Sequence, residues 1–212
     1  DDAAKSELNA DATMETNIDV RKTGSKVTAI TYEGYTFKGA TQATTYGADT
    51  WAGRSKAGNT TQDNTLTLDD ASKTYANVYG GWTSGTGTKA AADKQNNSLN
   101  NTVDYTAGTL TGTLYGGYAA NGEASGNTVN LGDTSHDRLA AGTNLEHATL
   151  YGGNKENDVT GNTLNVYAKN AVVHSVKNFD KYVFHLKGDA ASDAPMLTLK
   201  ATDGFGALVD WD

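Results

Sequence analysis

Few stretches of this 212-residue chain carry side chains of types and spacing able to do chemistry, and each also has an inert explanation. Asp133-Thr134-Ser135-His136-Asp137-Arg138 sets two carboxylates, a hydroxyl and an imidazole within six positions, the types used in proton transfer or metal binding. A solvated loop inserted between strands is built from the same residues, and that is the expectation. His174 and His185 alternate with apolar neighbours, as on the polar face of a strand, and no His-x-x-x-His pair exists for zinc. Gly85-Thr86-Gly87-Thr88-Lys89 looks like a phosphate cradle, but it lacks the first glycine at the required distance and no apolar strand directly precedes it. Ser84-Gly85 and Ser125-Gly126 are turn dipeptides rather than a nucleophile elbow. Asp104, Asp133, Asp137 and Asp158 are carboxylates of the kind that polysaccharide cleavage uses in pairs, yet they are scattered over separate segments. Neither a cofactor nor a metal is expected.

Binding has more support than catalysis. Trp82 and Tyr118 follow Gly80-Gly81 and Gly116-Gly117 at equivalent positions, 36 residues apart. Equivalent positions in a repeat lie on one side, so the two rings are the candidate ligand-binding residues, for sugar rings or a protein partner. The competing expectation is that they point inward or shield a turn.

The elements that must position these residues follow from an internal repeat. Tyr79-Gly80-Gly81, Tyr115-Gly116-Gly117 and Tyr151-Gly152-Gly153 recur every 36 residues, and Trp51-Ala52-Gly53 is a degenerate copy 28 residues before Tyr79. A second motif alternates with the first: Asn64-Thr65-Leu66-Thr67-Leu68, Asn101-Thr102-Val103-Asp104-Tyr105, Asn127-Thr128-Val129-Asn130-Leu131 and Asn162-Thr163-Leu164-Asn165-Val166. Its apolar residues fall at every second position, as in a strand with one buried face, and its leading Asn suits a bend. The polar stretches Ser84 to Asn97 and Asp133 to Asn144 lengthen the spacing and read as inserted loops. With no helical pattern and no hairpin signal at propeller spacing, the 36-residue unit fits two turns of an all-β solenoid. Residues 45–187 would then make about seven rungs, a rod of roughly 35 Å. Val78, Leu114, Val129, Leu131, Leu150, Leu164 and Val166 are the expected inner face, with glycine pairs at turns and asparagines stacked along the axis.

Composition agrees. The chain holds 24 Gly, 31 Thr and 19 Asn against one Pro and no Cys, with 37% hydrophobic and 20% charged residues. Thr, Asn and Gly disfavour helices, and the low charge disfavours disorder. A net charge of −8 without a clustered basic face excludes nucleic acid as the expected partner. No apolar run is long enough for a helical membrane span, and without Cys there is no disulfide frame. The chain opens at Asp1 without a signal segment and stops just after Leu208-Val209-Asp210-Trp211, as expected of a piece processed or excised from something longer. Three regions are expected: a charged lead-in or cap over 1–44, with a short helix or disorder over Asp1 to Asp11 and strands over Val27 to Phe37; repeats over 45–170; and a more aromatic β-rich continuation over 171–212, with a turn over Asp189 to Pro195.

The interleaved motifs, followed by Val176-Lys177-Asn178-Phe179-Asp180-Lys181-Tyr182 and Met196-Leu197-Thr198-Leu199, resemble the passenger regions of bacterial autotransporters, surface proteins of Gram-negative bacteria. The resemblance covers roughly residues 45–200. It implies a right-handed parallel β-helix, export to the cell surface, anchoring to the outer membrane only through a C-terminal barrel absent from this sequence, and a non-catalytic role in adhesion or as a structural stalk, with a host glycan or matrix protein as partner. Parallel β-helices also include polysaccharide lyases and glycosidases, so a carbohydrate-active enzyme is the alternative.

Overall fold

A computed structural model describes residues 13–23, 25–41, 44–46, 48–55, 59–84, 96–135, 138–169, 171–186 and 195–201. The expectations for Asp1 to Asp11, Gly85 to Lys89, His136, Asp137, most of Asp189 to Pro195 and the segment Phe205 to Trp211 lie outside these residues.

Every regular element among the described residues is a strand. Sheet A holds β1 (Thr13–Thr23), β2 (Lys26–Lys38), β5 (Thr60–Gln62), β8 (Ser98–Leu99) and β11 (Ala124–Ser125) in that order. Sheet B runs β17 (Leu197–Leu199), β15 (Ala171–Lys177), β13 (Leu145–Tyr151), β10 (Thr109–Ala119), β7 (Thr74–Thr83), β4 (Asp49–Ser55) and β3 (Thr44–Tyr46). Sheet C runs β16 (Lys181–Phe184), β14 (Thr163–Val166), β12 (Thr128–Leu131), β9 (Thr102–Tyr105) and β6 (Thr65–Leu68). From β4 to β12 the chain visits B, A and C in turn, three times, and every pairing between visits is parallel. After β12 it alternates between B and C.

The alternating motifs become the buried faces. In sheet C, Leu66, Val103, Val129 and Leu164 are consecutive register partners, as are Leu68, Tyr105, Leu131 and Val166. In sheet B, Val78, Leu114, Leu150 and Val176 form the facing column. All seven expected inner-face residues are fully buried in one hydrophobic cluster.

The 36-residue unit is not two turns. Tyr79 pairs directly with Tyr115, and Tyr115 with Tyr151, so one unit separates neighbouring strands. The difference lies in element length: β7 and β10 have 10 and 11 residues where short strands of one rung were expected, and each unit contributes to three sheets. Six strands of sheet B run parallel, spanning about 24 Å at ~4.8 Å per strand. At the N-terminal side the pairing reverses: β1 is antiparallel to β2, and β3 to β4.

Between sheets A and C the chain turns a corner whose key residues are the leading asparagines. Asn64, Asn101, Asn127 and Asn162 are fully buried. Asn64 donates from its backbone N and Nδ2 to Asn101 Oδ1 at 3.2 and 2.7 Å. Asn101 does the same to Asn127 Oδ1, at 3.0 Å for both, and Asn127 to Asn162 Oδ1, at 2.9 and 3.2 Å. The bend itself is made by the preceding residue, not by the asparagine as expected: Asp63, Asn100, Gly126 and Gly161 all have φ between 52° and 68°. Only Gly, Asn and Asp enter that left-handed region readily.

Truncating a rung of this ladder leaves several buried donors orphaned, each costing about 1–3 kcal/mol. Asn127→Ala is expected to lower unfolding free energy by about 3 kcal/mol or more, because Asn101 N and Nδ2 lose their acceptor. Asn127→Asp keeps the shape but sets an acceptor against Asn162 Oδ1 and Ser98 O, and should destabilise at least as much. Urea unfolding followed by circular dichroism measures both; a loss under about 1 kcal/mol for either would show that the ladder is replaceable.

Candidate functional site

Tyr79-Gly80-Gly81-Trp82 lies at the end of β7, where the chain leaves sheet B. A Cβ on Gly81 would sit 2.7 Å from Asn101 Cγ and 2.7 Å from Ser98 Oγ, and one on Gly117 would sit 2.7 Å from Asn127 Cγ. A Cβ on Gly80 would press on Asn101 and Val103 from the neighbouring side, and one on Gly116 on Asn127. Both glycines of each pair therefore face the interior, where only hydrogen fits. Two successive inward positions break the strand's alternation, so Tyr79 and Trp82 emerge together on the outer side.

Two aromatic columns result. In the first, Trp51, Tyr79, Tyr115 and Tyr151 are consecutive register partners. Tyr79 and Tyr115 stack at 5.3 Å between ring centroids with planes 7° apart, and Tyr115 and Tyr151 at 5.0 Å and 18°. In the second, Arg54, Trp82 and Tyr118 are partners. The Arg54 guanidinium lies 4.8 Å from the Trp82 ring and 4.5 Å from that of Trp51. Trp82 stacks on Tyr118 at 6.2 Å and 17°. The columns interlock, since Tyr118 meets Tyr79 and Tyr115 edge-on at 5.8 and 5.4 Å.

Trp82 and Tyr118 thus share one side, as expected, but on adjacent strands rather than two rungs apart. They are half-buried, and neither points into the core. Trp82 is held between a guanidinium and a ring, so its faces are already occupied. Beyond Tyr118 the Asn154 amide clamps the Ala119 backbone, accepting from its N–H at 2.8 Å and donating to its C=O at 3.1 Å. Burial, and then the charge of Asp49, push the Tyr79 phenol well above its usual range, and burial with neighbouring Tyr151 and Tyr118 raises that of Tyr115. Both hydroxyls are neutral donors at physiological pH. In the sequence Tyr79, Tyr115, Tyr151 and Trp51 read as markers of the repeat and not as site residues, and Arg54 carries no signal of its own.

A second outer row crosses sheet C. Asn130 Nδ2 donates to Asp104 Oδ1 at 2.6 Å, Asn165 Nδ2 to Asn130 Oδ1 at 2.8 Å, and His185 Nε2 lies 3.1 Å from Asn165 Oδ1 with its ring stacked on Tyr167. His185 therefore belongs to a hydrogen-bonded row, and His174 is exposed on β15. His147 is exposed beside Glu146 at 3.4 Å.

The described carboxylates lie on separate elements and connections. Asp104 is in the outer row, and Asp133 Oδ1 accepts from Ser135 N at 2.6 Å. Asp158, 8% exposed, lies between β13 and β14 with Oδ2 unpartnered. Burial raises its pKa above the ordinary 3.8, and Glu123 adds to this against Lys155 and two backbone N–H groups. Among the described residues no three His, Asp or Glu are grouped to hold a metal ion.

Two tests follow from these placements. Tyr115 is stacked on both sides and met edge-on, so Tyr115→Ala should cost the most stability of the columns, about 3 kcal/mol or more. Trp82→Ala and Tyr118→Ala should each cost about 2 kcal/mol, and Tyr118→Phe little, in the same urea assay. For Asp158, the folded state holds its proton more tightly than the unfolded chain, so its contribution to stability falls as pH rises through and above 3.8. Asp158→Asn should therefore stabilise at pH 7, with a gain that shrinks towards zero as pH drops below that value; a gain independent of pH would exclude titration as its cause. No family model matches the chain, and no curated protein or solved structure matches it either.

Proposed function

We propose that this chain is a non-catalytic, surface-exposed segment of an autotransporter-like passenger, and that it serves as a structural stalk. In this reading the three sheets are the faces of a right-handed parallel β-helix, exported across the outer membrane of a Gram-negative bacterium and held there by a barrel that follows it. One observation carries the reading: equivalent residues of successive motifs stand in direct parallel register, inside as the asparagine ladder and outside as the tyrosine column. From β4 to β12 each visit to the three sheets repeats the previous one, which supports growth along one axis, as a spacer requires. The aromatic columns support a stalk over an adhesive face because their ring faces are spent on each other and on Arg54.

Display on cells is the test. Placed between a signal peptide and an autotransporter barrel, the chain should become accessible to antibody and external protease on intact cells; retention in the periplasm would overturn the passenger assignment. Small-angle scattering of the purified chain should give an elongated particle, and a glycan and matrix-protein array should stay blank. A reproducible array signal abolished by Tyr118→Ala, in a variant that still unfolds cooperatively, would replace the stalk with an adhesin.

A further inference from the structure

Asn121-Gly122 stands in the connection between β10 and β11, and Asn121 is the sole asparagine of the chain that precedes a glycine. The residues on either side are anchored: Ala120 N donates to Thr83 O at 3.0 Å, and Glu123 N to Asn97 Oδ1 at 2.9 Å. Between them Asn121 is exposed, and among the described residues neither its side-chain amide nor the Gly122 N–H has a hydrogen-bond partner. Lys155 Nζ holds the Gly122 carbonyl, and a Cβ on Gly122 would run into Asn96 O and Asn97 Oδ1, so only glycine fits at this corner. The ladder asparagines are the opposite case. Asn64, Asn101, Asn127 and Asn162 are buried and bonded through both ends of the amide. Each is followed by a threonine, whose branched Cβ crowds the backbone nitrogen that a neighbouring amide would have to meet.

We propose that Asn121 is a site of self-modification, converted to aspartate and isoaspartate by its own backbone. The Gly122 N–H gives up its proton to solvent, and its nitrogen bonds to Asn121 Cγ. The Cγ–Nδ2 bond then breaks, and Nδ2 leaves as ammonia with a proton from water. A second water opens the resulting five-membered imide. Opening at Cγ gives aspartate, whereas opening at the main-chain carbonyl leaves Gly122 attached through Cγ, as isoaspartate. The net change is one amide and one water for one acid and one ammonia, and no oxidant or cofactor takes part. Glycine leaves the attacking nitrogen unhindered, and both reacting groups belong to one chain, so no encounter is needed. The product puts an anion one residue from the carbonyl that Lys155 holds, and isoaspartate adds a main-chain carbon between two anchored points. The site does not depend on the chain's being a stalk, and its failure would leave that assignment standing.

The test is peptide mapping of the full chain kept folded in mildly alkaline buffer made with heavy-oxygen water. The Asn121 peptide should turn into aspartate and isoaspartate forms, both labelled, the second identified by methylation with an isoaspartate methyltransferase. Ladder peptides should convert about a hundredfold more slowly, the scale at which a lost attack geometry is felt. Mildly acidic buffer should slow the reaction, because fewer Gly122 nitrogens lose their proton. Asn121→Gln, which must close a larger ring, should slow it at least about tenfold, and at an exposed position it should still unfold cooperatively. In urea the ladder asparagines should gain rate far more than Asn121 does. The proposal is overturned if Asn121 stays an amide in the folded chain, if aspartate forms without isoaspartate, or if a ladder asparagine in the folded chain converts as fast.

Discussion

Asn101, Asn127 and Asn162 each offer a single Oδ1 to two donors of the preceding asparagine, its backbone N–H and its side-chain amide, and most of the fold depends on this doubled contact. An unpaired buried amide is costly, whereas a fully paired column is held more firmly than isolated contacts would be. It also fixes register. A parallel sheet with alternating side chains tolerates no one-residue slip, but a slip by two would keep apolar residues inside. The ladder forbids that, because the asparagine would then meet a threonine or an aliphatic side chain. The cost of a buried polar row is therefore offset by a unique alignment of strands whose hydrophobic faces alone are nearly interchangeable.

The ladder also determines how the stack ends. At one end Asn64 Oδ1 accepts from Ala40 N at 3.1 Å, so a backbone amide stands where another asparagine would donate. Beyond it the antiparallel pairs of β1 with β2 and β3 with β4 replace the parallel pattern, and reversal of direction protects a sheet edge from further parallel growth. At the other end the bend residue persists as Asn178, with φ 61°, but the residue after it is Phe179, fully buried. Asn162 Nδ2 donates instead to the Asp158 and Asn178 carbonyls, at 2.5 and 3.4 Å. The corner geometry thus outlasts the polar column by one turn, with an aromatic ring filling the space.

Much of this was legible from sequence because two of its periods are strict. Alternation in the Asn-Thr motifs located the buried positions of sheet C, and the 36-residue recurrence located equivalent sites in sheet B. What misled was counting. A period measures the distance between equivalent residues, not how many strands lie between, and the long β7 and β10 use residues that a compact rung would not. The bends are hidden for a related reason: Asp63, Asn100, Gly126 and Gly161 share a conformation but are of three residue types, so repetition conceals them while it displays the asparagine beside them. Trp82 and Tyr118 vary in type and draw the eye, whereas Tyr79, Tyr115 and Tyr151 passed as part of the turn signal.

The outer columns are a consequence of the inner ladder. The Asn101 and Asn127 amides press against the second glycine of the facing Tyr-Gly-Gly copy, closely enough that a methyl group would collide with them at Gly81 and Gly117. That contact holds two successive residues inward, and the chain regains its alternation one position late. The residues on either side of the pair, Tyr79 and Trp82 or Tyr115 and Tyr118, are thereby brought onto one outer surface, where separate columns meet edge to face. Where the glycine partner changes, the surface changes too: after Gly152-Gly153 the outward position holds Asn154, which bonds back to Ala119 and closes the aromatic row. The exterior of this chain is in that sense set from within, and a new surface residue at these corners must first satisfy the amide behind it.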